Sequence, residues 1–252
     1  MKILLHISFL GTKYCGYQIQ PNRVTIQQRL NEASRALFGY DCDIVGCSRT
    51  DSGVHANHFC ATVTKKGTDH LETTIPAEKI PFAIACYLPD DISVFKAEVV
   101  EESFHPRYDV KYKEYVYRIW NRPEKNPFLH DRTLHYPKHI DDIALQNMNS
   151  AAAAFVGTHD FSAYMSADTK VKDTVRTVYS ATIVRDGDIV EFRVSANGFL
   201  YNMVRIFTGT LLAVAEGKIS PDDIKEITDQ KDRKKAGITV PPCGLFLNKV
   251  EY

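Results

Sequence analysis

The sequence lacks several features that define whole classes of protein. No apolar run approaches the roughly 20 residues that a membrane-spanning helix needs. The six cysteines form no C-x-x-C pair, which predicts reduced, small hydrophobic residues rather than a disulfide framework or a cysteine-rich zinc site. The opening residues, Met1 to Ile7, are too short and too soon polar for a signal peptide, so a cytoplasmic protein is expected.

A net charge is also absent, since 31 lysines and arginines balance 31 aspartates and glutamates. A neutral protein can still bind a polyanion if its cations segregate onto one face, because affinity follows local neutralisation of phosphates. Basic residues cluster in three places: Arg107 to Arg118, which includes Lys111 and Lys113; Lys170-Val171-Lys172; and Lys231 to Lys235.

The order of strand and helix patterns repeats once along the 252 residues. In the first half we predict strands at Leu4 to Phe9, Cys42 to Cys47, Asn57 to Val63 and Ile92 to Val99, with helices from Ile26 and near Ala77 to Phe82. In the second half we predict strands at Lys111 to Trp120, Val175 to Val184, Ile189 to Ser195 and Gly244 to Tyr252, with helices from Asp142, over Phe199 to Glu216, and after Ser220-Pro221. Each half therefore has the order β-α-β-β-α-β, with one more short helix, after Ser220-Pro221, in the second half.

This order predicts an α+β protein made of two ferredoxin-like halves joined around a cleft. The polar connection Glu101-Glu102-Ser103 is the expected boundary, which gives domains 1–103 and 104–252. Local signals define some helix ends closely: Thr25 and Gln28 form a T-x-x-Q capping box, and Gly39 stops the same helix.

A loop between two predicted strands carries the most distinctive residues, Ser48-Arg49-Thr50-Asp51-Ser52-Gly53-Val54-His55-Ala56. Charged side chains on a loop held by two strands are typical of a functional site. Asp-Ser-Gly also suits a turn in which Asp51 satisfies only its own backbone, so the pattern alone leaves both interpretations open.

A metal site near this loop is not expected. His55, His58 and Cys60 are close in sequence, but on a strand His55 points to the opposite face from His58 and Cys60.

The loop resembles the Arg-Thr-Asp-x-Gly-Val-His-Ala signature of the TruA family of tRNA pseudouridine synthases. Further family motifs follow in family order over nearly the whole chain: Phe104-His105-Pro106-Arg107, Lys113-Glu114-Tyr115-Val116-Tyr117, Gly157-Thr158-His159-Asp160-Phe161, Asn197 to Arg205 and Pro242 to Leu247. Small departures occur at Ser48, Ser52 and Pro106, which bear on substrate range more than on chemistry.

The resemblance implies roles for three residues. Asp51 is then the catalytic carboxylate, Arg205 pairs with it, and Tyr115 stacks on the target base. Helix and strand periodicity alone do not decide the roles of Arg205 and Tyr115. Arg205 lies off the buried stripe of its helix, and Tyr115 is equally suited to a packed position in a sheet.

The resemblance also implies a substrate. This is the anticodon stem-loop of tRNA, with uridines 38, 39 and 40 as targets, bound by a homodimer without cofactor or metal. Arg49 then holds the extruded nucleotide, although an ion pair on the turn is an equal alternative. Arg107, Lys111 and Lys113 are the expected tRNA-binding cations.

Two other functions stay open. A ferredoxin-like sheet also binds RNA through exposed aromatic residues without catalysis, and a metal-dependent hydrolase would use Asp51, His55 and His58. The mode of action of Asp51 is open as well: it attacks C1′, attacks C6 of the base, or removes a ribose proton.

Overall fold

The structure, a computed structural model, describes residues 1–166, 171 and 173–252. Its chain forms two compact units, Met1–Lys111 with Phe246–Tyr252, and Tyr112–Leu245. Within the described ranges, no helix has the length and apolar character needed to cross a membrane.

Strands and helices are mixed along the chain. In chain order they are β1 (Lys2–Phe9), α1 (Ile26–Phe38), β2 (Cys42–Gly46), β3 (His55–Lys65), α2 (Ile80–Ala85), β4 (Ile92–Val100), β5 (Tyr112–Trp120), β6 (Leu134–His135), α3 (Asp142–Ala153), β7 (Gly157–Asp160), β8 (Val175–Asp186), β9 (Ile189–Ala196), α4 (Met203–Ala215), α5 (Asp223–Gln230) and β10 (Leu245–Glu251). The protein is thus a mixed α+β structure, as the sequence predicts.

The sheet of the first unit is mostly antiparallel. β1 lies between β4 and β3, and β2 pairs with the far end of β3. The C-terminal strand β10 runs parallel to the start of β3, with Phe246 opposite His55 and Leu247 opposite Ala56. A strand with one solvent-facing side would show alternating burial, but Phe59 to Thr64 of β3 are all buried. Consecutive burial requires cover on both faces of the strand, which a simple alternating pattern does not anticipate.

α1 confirms its predicted ends. Thr25 caps it by accepting a hydrogen bond from the Gln28 backbone N–H at 3.3 Å, and Gly39 follows its last turn. Only this half of the predicted capping box forms, because the Gln28 side chain donates to Glu32 instead of returning to Thr25. Ile26, Leu30 and other residues on one side of the helix are buried.

In the second unit the strand order is β5-β9-β8-β7, and short β6 lies parallel to β5. β8 and β9 form a hairpin whose two-residue turn is Gly187-Asp188, because Asp186 still pairs with Ile189. Aromatic rings fill the core around Phe207, which stacks on Phe155 with ring centroids 3.9 Å apart.

α4 begins later than predicted. The helix was expected from Phe199 but starts at Met203, because Asn202 adopts a left-handed conformation with φ of 62°. A left-handed residue cannot continue a right-handed helix, so Phe199 and Leu200 lie outside the helix, and Tyr201 and Asn202 form a turn before it. α3 starts at its predicted residue, Asp142, and Gly157 begins β7 after it.

Candidate active site

The loop that carries Asp51 is a tight turn between β2 and β3. The Val54 N–H donates to the Asp51 carbonyl at 3.1 Å, and Gly53 has a φ of 79°, a conformation that suits glycine. Asp51 is half-buried. The backbone of the turn, rather than the Asp51 side chain alone, therefore determines where the carboxylate lies.

A second segment, residues 11–17, packs against this turn and forms hydrogen bonds with it. The carbonyl of Tyr14 accepts hydrogen bonds from the Gly53 N–H at 3.3 Å and the Ser52 hydroxyl at 3.2 Å. Gly16 lies so close that a Cβ there would be 2.6 Å from the Thr50 carbonyl oxygen. Only glycine allows this approach, so Gly16 is a structural requirement of the Asp51 turn.

Tyr14 is itself held in place. Its hydroxyl donates to Asp91 at 2.5 Å, and burial together with this carboxylate raises the pKa of Tyr14 well above its ordinary value. Both effects favour the protonated phenol, which is the form that donates to Asp91. Tyr14 and Gly16 were not singled out from the sequence, because nothing local marks them as partners of a loop some 35 residues away.

Tyr115 lies on β5 in the second unit and is 7% exposed. Its ring meets the edge of Phe199 at a centroid distance of 5.1 Å and an interplanar angle of 84°. Edge-to-face contact restrains the ring of Tyr115. The Tyr115 ring is thus held in one orientation.

Arg205 lies in the first turn of α4, also in the second unit. Its Nε donates to the Val240 carbonyl at 2.8 Å and its Nη1 to the Asn202 side-chain oxygen at 2.6 Å. Asn202 in turn donates to the Ser166 hydroxyl at 2.9 Å. The guanidinium is therefore fixed on two edges by neighbours in its own unit.

Asn202 combines positive φ with this contact. A non-glycine residue in the left-handed region is uncommon and is found at functional sites more often than elsewhere. Its side chain fixes Arg205, so we identify Asn202 as a positioning residue. The Asn197 to Arg205 motif contains Asn202, but the sequence does not show its conformation.

The predicted tRNA-binding cations differ in exposure. Arg49, Arg107 and Lys111 are exposed, whereas Lys113 is 9% exposed on β5. The Arg107 guanidinium lies 5.9 Å from the ring centroid of Tyr108. The three predicted catalytic residues divide between the units: Asp51 lies in the first, and Tyr115 and Arg205 in the second.

The basic segment Lys231 to Lys235 is partly structural. Lys231 forms an ion pair with Asp160 at 2.8 Å, and Arg233 donates to the Gly237 carbonyl at 2.8 Å. Burial alone would raise the pKa of Asp160, but hydrogen bonds from Lys231, Thr174 and Ser162 outweigh it and hold that pKa well below its usual range. Lys170 and Lys172 lie outside the described residues.

His55 is engaged in packing. Its Nδ1 accepts a hydrogen bond from the Gly11 N–H at 3.0 Å, and its ring stacks on Phe246 at 4.6 Å. His58 and Cys60 lie together elsewhere, with Nε2 and Sγ 3.4 Å apart. These positions do not bring Asp51, His55 and His58 into one hydrolase-like set.

Comparison with known proteins gives consistent matches. A family model described as tRNA pseudouridine synthase matches residues 151–252. The chain is 44% identical over 99% of its length to tRNA pseudouridine synthase A from Thermoanaerobacter sp. (strain X514), covering 99% of that protein. It is 42% identical to the protein of the same name from Bacillus pumilus (strain SAFR-032), covering 100% of this chain and 99% of the relative.

The chain belongs to the tRNA pseudouridine synthase A family. The family resemblance of the Asp51 loop is thereby confirmed for the chain as a whole. A solved structure entitled "Crystal Structure of a Cbf5-Nop10-Gar1 Complex" is also similar, with 14% identity and a TM-score of 0.37 over 83% of this chain and 44% of that one.

In this member of the tRNA pseudouridine synthase A family, the structure also shows which residues hold the motif residues Asp51 and Arg205 in place. Asp51 depends on Tyr14 and Gly16, and Arg205 depends on Asn202 and Val240. Each of these supports lies within the same unit as the residue it holds.

Proposed function

We propose that this protein isomerises uridine to pseudouridine in tRNA, with the anticodon stem-loop and its uridines 38, 39 and 40 as the target. The observation that carries this proposal is full-length identity of 44% to tRNA pseudouridine synthase A. The Asp51 turn supports it, because close backbone contacts with residues 11–17 fix the position of Asp51.

The reaction breaks the N1–C1′ glycosidic bond, turns the uracil and rejoins it to C1′ through C5. It needs no oxidant and no energy source. Asp51 supplies a carboxylate, which acts on C1′, on C6 or on a ribose proton. In each of these routes the carboxylate must be ionised to react.

Arg205 keeps Asp51 ionised in this proposal. Desolvation in a closed pocket favours the neutral acid, and a fixed guanidinium opposes that shift. The hydrogen bonds to Val240 and Asn202 support such a role, since they orient the cation before substrate arrives.

Tyr115 stacks on the uracil in this proposal. The ring held by Phe199 offers a flat surface that restrains the base while its glycosidic bond is open. Retention of the free base matters here because a lost uracil would end the reaction as hydrolysis.

Exposed Arg49, Arg107 and Lys111 contact the RNA backbone, and Arg49 holds the extruded nucleotide. Lys113 belongs with them by sequence, but its burial predicts that its substitution also affects folding. The protein works in the cytoplasm, where tRNA is found, as a homodimer.

The domain plan is part of the same proposal. Halves 1–103 and 104–252 each follow a ferredoxin-like order, with RNA bound in the cleft that they form. The order β4-β1-β3-β2 in the first unit supports this plan for the N-terminal half.

Asp51→Asn tests the proposed chemistry. The change preserves size and removes the charge, so turnover should fall by several orders of magnitude while tRNA affinity stays within a few fold. Asp41→Asn is the matched control, since Asp41 is exposed immediately before β2 and its substitution should leave turnover unchanged. Activity of Asp51→Asn within tenfold of wild type would remove Asp51 from the catalytic role.

The same experiment separates the alternative function. Wild-type protein that binds tRNA tightly but forms no pseudouridine in any tRNA would point to a non-catalytic RNA-binding module.

A further inference from the structure

Three potential metal ligands converge on the sheet of the first unit. His6 comes from β1, and His58 and Cys60 come from β3. The His6 Nδ1 lies 2.7 Å from the His58 Nε2, and the Cys60 Sγ lies 3.7 Å from the former and 3.4 Å from the latter. All three donor atoms fall within 4.8 Å of one another. Nothing in the proposed chemistry uses this cluster.

Strand register produces the convergence. His6 is directly opposite Cys60 in the antiparallel β1–β3 pair, and His58 lies two residues from Cys60 on the same face. Side chains at such positions project side by side from the sheet. The cluster is therefore held by backbone pairing and does not depend on a flexible loop.

The Glu98 carboxylate determines which ring nitrogen of His6 carries the proton. The Glu98 Oε1 lies 2.8 Å from the His6 Nε2, so this nitrogen carries a proton and donates it. In the neutral ring, the Nδ1 lone pair then points into the cluster. Lys96 binds the second oxygen of Glu98 at 2.7 Å, which holds the carboxylate in place. A carboxylate that orients a histidine in this way is the usual outer support of a metal ligand.

The separations suit tetrahedral zinc. Zn–N bonds of about 2.0–2.1 Å and a Zn–S bond of about 2.3 Å place two nitrogens about 3.3 Å apart and nitrogen and sulfur about 3.6 Å apart. The two sulfur–nitrogen distances of 3.4 and 3.7 Å bracket the second value. Only the two imidazoles need to separate, by about 0.6 Å, to admit the ion.

The three-residue cluster is buried except on the side of His58. Cys60 is fully buried and His6 is 8% exposed, whereas His58 is half-buried. A fourth ligand from solvent can therefore reach the ion beside His58. Two imidazoles and one thiolate favour zinc among the divalent ions available in cells, since magnesium and calcium prefer oxygen.

We propose that His6, His58 and Cys60 bind one Zn²⁺ ion, with Glu98 as the support of His6 and water in the fourth position. Binding transfers the Cys60 thiol proton to solvent and leaves the ion held by one thiolate and two neutral imidazoles. The ion joins β1 to β3, and β3 begins four residues after Asp51. Its role is to stiffen the strand that follows the Asp51 turn, not to take part in isomerisation.

Zinc titration of untagged, chelator-treated full-length protein tests the site. We expect one equivalent of zinc with a Kd of about 1 µM or below, measured by competition with a chromophoric chelator. Cys60→Ser should weaken binding at least 100-fold, and Glu98→Gln about 10- to 100-fold. Cys42→Ser is the matched control, because Cys42 is a buried thiol on β2 outside the cluster and should leave binding unchanged.

Two measurements on the wild type test the proposal even if a variant misfolds. Added Co²⁺ should give the thiolate charge-transfer band and the d–d bands of a tetrahedral site, and zinc should raise the Tm. Either the absence of tight stoichiometric binding to the wild type, or unchanged binding in a folded Cys60→Ser protein, would overturn the proposal. The cluster would then be a hydrogen-bonded chain from Glu98 through His6 to His58.

Discussion

Asn202 offers a way to test whether the fixed position of Arg205 matters for catalysis. Its side-chain oxygen accepts one hydrogen bond from the Arg205 guanidinium, and its backbone has a φ of 62°. Asn202→Gly and Asn202→Ala both remove that hydrogen bond. They differ in backbone strain, because alanine in the left-handed region costs about 1 kcal/mol and glycine costs little.

The expected magnitudes follow from these contacts. A hydrogen bond to a charged group contributes about 1.5–3 kcal/mol. If all of it supports the transition state, its loss lowers the rate by about 10- to 150-fold, since about 1.4 kcal/mol corresponds to a factor of ten. Both variants should show this loss. Asn202→Gly should nevertheless be the more stable variant by about 1 kcal/mol, the reverse of the usual order for alanine and glycine.

The assay is single-turnover release of tritium from tRNA labelled at C5 of uridine, because isomerisation replaces the C5–H bond. Binding is measured separately by filter retention, and unfolding by circular dichroism. Ser166→Ala is the control, since it removes the other partner of Asn202 and leaves the contact with Arg205 in place. A wild-type rate in a folded Asn202→Gly protein would refute the positioning role of Asn202.

Three further predictions use other contacts. Arg205→Lys should lower the single-turnover rate much more than tRNA affinity, because one ammonium cannot reproduce two directed hydrogen bonds; weakened binding with an unchanged rate would instead make Arg205 an RNA contact. Binding of tRNA should weaken steeply with salt, and removing Arg49 or Lys111 should each lower the slope of log affinity against log salt by about 1, whereas a flat dependence would contradict the basic surface. Asp160 has a depressed pKa in the folded state, so its ion pair with Lys231 stabilises the protein above the unfolded pKa of about 4 and is lost as pH falls further. The stability difference between wild type and Asp160→Asn should accordingly be constant above about pH 5 and shrink below it, as urea unfolding at several pH values would show.

Sequence signals predicted correctly those helices whose ends are set by residues adjacent to them in the chain. α1 is the best example, since Thr25 and Gly39 mark its two ends within one turn each. The start of α4 was wrong because apolar residues continue back to Phe199, whereas the helix is stopped by the left-handed Asn202. The left-handed conformation of Asn202 is a property of the folded chain that no local pattern shows.

The site shows the same limit. The Asp51 turn was predicted from its own residues, but its supports in residues 11–17 come from a distant part of the chain. His6 was not considered as a metal ligand because alternation tells which face a residue occupies, not which strand lies beside it. The pairing of His6 with Cys60 needs the register of β1 against β3.

The parallel pairing of β10 with β3 has a consequence for synthesis of the protein on the ribosome. β3 ends at Lys65 and β10 begins at Leu245, so about 180 residues separate the two strands. At a translation rate of about 5–20 residues per second, roughly 10 to 40 s pass between the synthesis of β3 and that of its partner strand β10. During that interval the nascent N-terminal region exposes an incomplete sheet edge. We expect chaperone contact at this stage, and a chain that stops before Phe246 to lose order first near Asp51, at the opposite end of the sequence from the deletion.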